Sequence, residues 1–130
     1  MVSYLPRLYK LTPWLIRMII PSQLIGTYTL YLNDSLGCRP VYTGRSDTDL
    51  RRRLISHPLM GYATHFEYNT YDCPEKAFIV ECAQYHLSKG IYLNKIHPAI
   101  PNGSLISCPF CKIHGRYNLQ DAFIQLSKKN

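Results

Sequence analysis

Residues 26–57 place the tightest constraint on what this chain can fold into. They run Gly26-Thr27-Tyr28-Thr29-Leu30-Tyr31-Leu32, then a turn-forming Asn33-Asp34-Ser35-Leu36-Gly37, then Val41-Tyr42-Thr43-Gly44-Arg45 and Ser46-Asp47-Thr48-Asp49-Leu50-Arg51-Arg52-Arg53. β-Branched and aromatic residues on either side of turn formers predict a hairpin with strands at 25–33 and 41–45. Pro40 sits where the returning strand begins, a place that tolerates a missing N–H. Ser46 followed three residues later by Asp49 has the form of a capping box, and Asp47 adds negative charge at the positive end of the helix that should follow. On that helix Arg51, Arg52 and Arg53 point in three directions about 100° apart, so they cannot share one task. His57, four residues after Arg53, shares its face. Pro58 and Gly61 end the element.

The rest of the chain supplies what such a unit would pack against. Residues 63–71 alternate loosely, with His65, Glu67, Asn69 and Tyr71 on one side and Thr64, Phe66, Tyr68 and Thr70 on the other, and predict a third strand. Pro74-Glu75 opens and Gly90 closes a helix over 74–89. Its expected apolar stripe is Phe78, Ile79, Cys82, Ala83 and Leu87, with Glu81 at the edge of the stripe. A half-buried acid of this kind calls for a cation or a metal. Toward the N-terminus, Pro13 starts a short helix over 14–20 that Pro21 stops. It is too short and too interrupted by charge and proline to span a bilayer, and packing on the sheet or a basic docking surface are its two readings. After residue 91 the chain is loop-like until Asn118, which caps an expected last helix at 119–128. The divisions are a basic, apolar extension at 1–24, a core at 25–96, and a Cys/His turn with a helix at 97–130. The expected fold is therefore α/β, a three-stranded mainly antiparallel sheet flanked by helices in one domain.

Charge bears on the partner. Fifteen basic and eight acidic residues give +7 over 130 residues, an excess that attracts polyanions, nucleic acid first among them. Eleven tyrosines against four phenylalanines supply rings that can pack, stack or react. Five cysteines, an odd number, with no secretory leader pattern ahead of them, point to reduced thiols and a cytoplasmic setting, or a nuclear one in a eukaryote.

Gly26-Thr27-Tyr28, then Tyr42-Thr43-Gly44, then Leu50-Arg51-Arg52-Arg53 with His57, then Glu81 on a later helix and Asn94 beyond it, resemble the GIY-YIG nuclease superfamily in order and spacing. The resemblance covers residues 26–94. Thr27 and Thr43 replace the aliphatic residues usual between the motif's glycines and tyrosines, and the segment after Gly44 is one residue longer, so Arg52 and Arg53 both compete for the catalytic arginine. Counting from Leu50 and back from His57 favours Arg53. Glu81 is favoured over Glu75, which helix capping explains. The resemblance implies a metal-dependent endonuclease acting on DNA. Tyr28, with Tyr42 and His57 beside it, would activate water, Arg53 would clamp the phosphate, and Glu81 would hold one Mg²⁺ or Mn²⁺. Gly44, Arg45, Arg51, Arg52 and Asn94 would contact the substrate. A tyrosine is a poor base at neutral pH unless cations lower its pKa. Arg45, His57 and the metal are the groups expected to do so.

Cys108-Pro109-Phe110-Cys111-Lys112-Ile113-His114 offers three zinc-type ligands in one tight turn. His97 is the first choice for the fourth, ahead of Cys73 and Cys82. His97-Pro98 followed by Cys-Pro-x-Cys is also similar to small members of the family. A contrasting expectation is a nucleic-acid-binding module that has the fold without catalysis, its C-terminal turn stabilised by zinc. The chain shows no separate recognition domain, which favours structure-selective cutting or a partner protein that supplies targeting.

Overall fold

The structure, a computed structural model, describes residues 7–88 and 91–111. Its elements in order are β1 (Tyr9–Lys10), α1 (Pro13–Ile19), β2 (Ile25–Asp34), β3 (Gly37–Ser46), α2 (Leu50–Ile55), β4 (His65–Tyr71) and α3 (Pro74–Leu87). The sheet has four strands rather than three, in the order β1-β4-β2-β3, and every pairing is antiparallel. The additional strand is the two-residue β1, which pairs Tyr9 with Phe66 and Lys10 with His65. Two residues carry no periodicity, so only the pairing partner reveals such a strand.

The β2–β3 hairpin closes where Asp34 pairs with Gly37. The Asp34 carboxylate accepts the Leu36 N–H at 2.9 Å, and Gly37 takes a φ of 110° that a side chain would resist. The strands are longer than the sequence pattern suggests because the turn is shorter. β3 lies at the sheet edge, which accommodates Pro40. Residues 93 and 94 cover part of that edge. The Leu93 N–H donates to the Val41 carbonyl at 2.7 Å. The Asn94 amide accepts from the Thr43 N–H at 2.9 Å and donates to the Thr43 carbonyl at 2.6 Å, so one side chain pairs with β3 as a neighbouring strand would.

The two faces of the sheet differ in chemistry. Tyr28, Leu30 and Phe66 are buried on one face with Ile16 and Ile20 of the N-terminal segment and Leu50 and Leu54 of α2, forming the main core. Leu11 also belongs to that core, so the N-terminal segment is built into the domain. On the other face Thr27, Thr29, Thr43 and Arg45 are buried, and α3 covers them with Phe78, Cys82, Gln84 and Glu81. The α3 face differs from the expected stripe at Leu87, which is 55% exposed, while Tyr85 and His86 are buried. Leu87 lies nine residues after Phe78, and at about 100° per residue this puts it half a turn away from the buried side.

Candidate functional site

Helix α2 begins later than the capping pattern suggests. The Ser46 hydroxyl accepts the Asp49 N–H at 2.9 Å in the preceding turn, and Asp49 is the N-cap, its carboxylate accepting the Arg52 N–H at 3.2 Å. The delay leaves six helical residues, and Arg53 emerges on the side of the β2–β3 hairpin. Arg52 is exposed and Arg51 half-buried.

Tyr28, Tyr42 and His57 form one aromatic cluster. The Tyr28 and Tyr42 rings are roughly parallel at 6.4 Å, and His57 stands edge-on to both, at 5.5 and 4.8 Å. Register puts Tyr28 opposite Gly44. A methyl group on Gly44 would meet the Tyr28 ring, with Cζ at 2.6 Å. The glycine is therefore the space that the tyrosine occupies. Gly26 is confined in the same way, since a Cβ there would lie 2.5 Å from the Asn69 carbonyl.

The Tyr28 hydroxyl is buried and has no well-formed hydrogen bond among the described residues. The Arg53 guanidinium stands beside it, close enough to act on it without that alignment. Burial pushes the phenol well above its ordinary pKa, and Arg53 offsets only part of the rise. His57 is 6% exposed, and burial, with help from Arg53, lowers its pKa to about 4. Its Nδ1 accepts the Leu59 N–H at 3.0 Å, which leaves the proton of the neutral ring on Nε2. A neutral His57 cannot be one of the cations that activate Tyr28, contrary to the sequence expectation, and burial is the reason.

Arg45 is committed elsewhere as well. Its guanidinium donates to Asp47 at 2.6 and 2.9 Å, to Glu81 at 2.8 Å and to the Ala99 carbonyl at 2.6 Å, and it lies 5.2 Å from the Phe78 ring. Arg45 is thus a buried anchor joining β3, α3 and the segment at Ala99. Glu81 comes from the α3 face of the sheet. Burial raises its carboxyl above the usual range against the opposing pull of Arg45 and Arg53. Arg53 and Glu81, from opposite faces of the sheet, both act electrostatically on Tyr28. Asn94 is close by in the chain's path but engaged with Thr43. Arg52 and Arg53 line a shallow polar groove with Ser46, Thr48, Asp49 and Ser56.

A second cluster lies at the C-terminal end of α3. One ligand atom from each of His86, His97, Cys108 and Cys111 falls within 4.8 Å of all the others, and this group can hold a metal ion such as zinc. His97, Cys108 and Cys111 were expected from the sequence. His86 was not, because a histidine inside a helical run gives no spacing signal. Cys82 is buried next to Cys108 without joining the four, and Cys73 is at the far end of α3 as its N-cap. His114 and the expected helix at 119–128 lie outside the described residues.

Comparison with family models, with curated proteins and with solved structures gives no match. No helix among the described residues is long and apolar enough to cross a membrane. The geometry of the two clusters therefore carries the functional reading.

Proposed function

We propose that the protein is a GIY-YIG-type endonuclease that hydrolyses phosphodiester bonds in DNA, with Tyr28, Tyr42, His57, Arg53 and Glu81 as its site. The observation that carries this reading is the Arg53 guanidinium of α2 beside the buried Tyr28 hydroxyl of β2, with the Glu81 carboxylate of α3 near enough to act electrostatically on both. Arg53 keeps part of its surface exposed, and its planar fork suits two phosphate oxygens. Tyr28 would orient the attacking water; to take up its proton the phenol must first be ionised, which requires more positive charge beside it than Arg53 alone supplies. Neutral His57 contributes an Nε2–H donor beside the buried Tyr28 ring and the half-buried Tyr42 ring. Glu81 fits a single Mg²⁺ or Mn²⁺, being a hard oxygen donor whose charge is only partly balanced where it is buried. A divalent ion bound there would act as a Lewis acid on the phosphate and the leaving oxygen.

A second reading is a nucleic-acid-binding module without catalysis. The Arg45–Glu81 ion pair favours it, because a cation already occupies one side of the carboxylate. Incubation with labelled single-stranded, double-stranded and branched DNA and with RNA, in Mg²⁺, Mn²⁺ or EDTA, separates the two. A nuclease cleaves in a metal-dependent way, and Tyr28→Phe, Arg53→Ala and Glu81→Ala each lower the rate at least 100-fold while binding persists. Binding with no metal-dependent cleavage of any substrate supports the second reading and excludes the first.

A further inference from the structure

The four-residue cluster has more definition than proximity. Ring nitrogens Nε2 of His86 and His97 face each other at 3.3 Å, Cys111 Sγ lies 3.0 Å from His97 Nε2 and 3.5 Å from His86 Nε2, and Cys108 Sγ lies 3.4 Å from His86 Nε2. The edges of a tetrahedron built from zinc–nitrogen and zinc–sulfur bonds of ordinary length are about 3.3 Å for N···N and about 3.6 Å for S···N. Three of these separations fall within about 0.2 Å of those edges, the Cys111–His97 pair is about 0.6 Å shorter, and all four ligand atoms lie within 4.8 Å of one another. His97 Nδ1 lies 2.7 Å from the Pro98 carbonyl, which can only accept, so Nδ1 carries the proton and the lone pair of neutral His97 is at Nε2, directed into the cluster. A backbone carbonyl that fixes the tautomer of a ligand histidine is the usual outer support of a metal site. Tyr85 and Phe110 pack on the histidine rings and shield one side.

We propose that His86 Nε2, His97 Nε2 and the Cys108 and Cys111 thiolates form a structural zinc site that clamps residues 97–111 onto the C-terminal end of α3. Two thiolates and two imidazoles select zinc over Mg²⁺ or Ca²⁺, which prefer oxygen. Four protein ligands leave no open position, so the site holds structure and does no chemistry. Residues 91–110 form neither helix nor strand, and the metal supplies a cross-link that backbone pairing does not. The clamped segment also contains Ala99, whose carbonyl holds Arg45 beside Glu81. The site therefore fastens the helix that carries Glu81 to the segment that positions Arg45. None of this depends on the nuclease reading.

Metal analysis of the full chain purified without chelator is expected to give one zinc per chain. Protein lacking near-stoichiometric metal, or carrying a different one, overturns the proposal. His86→Ala should lose the zinc while His114→Ala keeps it, and the reverse pattern overturns this ligand set. Should His86→Ala fail to fold, His86→Cys is expected to bind Co²⁺ with thiolate charge-transfer absorption about 1.5-fold that of the wild type, as three thiolates replace two. An unchanged two-thiolate spectrum overturns the assignment. Chelation should open 97–111 to limited proteolysis, and an unchanged cleavage pattern overturns the clamp.

Discussion

Tyr28 and Gly44 form a single steric unit, one residue filling the space that the other leaves. Gly44→Ala is expected to destabilise the fold by about 1–3 kcal/mol, the usual range for overpacking, because the added methyl must displace a ring held between two strands. Chemical denaturation measures this, and near-ambient stability in the variant would show that the ring can move aside. His57 gives the residue scale a pH signature. Its pKa is lowered to about 4 in the folded chain from an ordinary value of 6.5. Between those values the unfolded state binds a proton that the folded state refuses, so stability falls as pH drops from about 6.5 to about 4. The loss is on the order of 2–3 kcal/mol. Glu81, whose carboxyl is raised, works in the opposite direction. The informative quantity is therefore the difference between wild type and His57→Gln, which should lack this decline. Parallel pH–stability curves for the two proteins would remove His57 as its source.

At the scale of elements, edge strand β3 takes its outer pairing from the Leu93 N–H and, at Thr43, from the Asn94 side chain. Asn94→Ala removes two hydrogen bonds to the Thr43 backbone and should cost about 1–3 kcal/mol. It should also speed hydrogen exchange at the Thr43 amide, a local effect that a general loss of stability would not single out. The hairpin, α2 and α3 were readable because their signals are local: turn formers, a capping acid, proline at a helix start. Their ends were less readable. Ser46 and Asp49 both satisfy the capping pattern, and only the path of the backbone after β3 makes Asp49 the cap. β1 was beyond reach, since two residues become a strand only when β4 lies beside them.

At the scale of the whole molecule, the described residues form a sheet with an apolar face under α1 and α2 and a polar, threonine-bearing face under α3. That asymmetry brings Arg45 and Glu81 into a buried ion pair near the tyrosines without a break in the main core. On the proposed reading the net charge of +7 acts at this scale too. DNA affinity of the full chain should fall linearly in log–log terms as salt rises, by roughly 0.9 in slope for each phosphate neutralised. Affinity that ignores salt between low and moderate concentration would count against nucleic acid as the partner.

By itself the sequence determined the hairpin, the three helices α1, α2 and α3, the tyrosine–glycine spacing on adjacent strands, and three of the four residues in the Cys/His cluster. These follow from periodicity and turn chemistry, which act over a few residues. Tertiary structure decided the assignments that depend on what lies across a gap. It placed Arg53 beside Tyr28, occupied Arg45 with Glu81 and Ala99, buried His57 until it is neutral, and brought His86 to the cysteines. Each of these is a matter of desolvation or of contact between distant segments, and neither is encoded at fixed spacing along a chain.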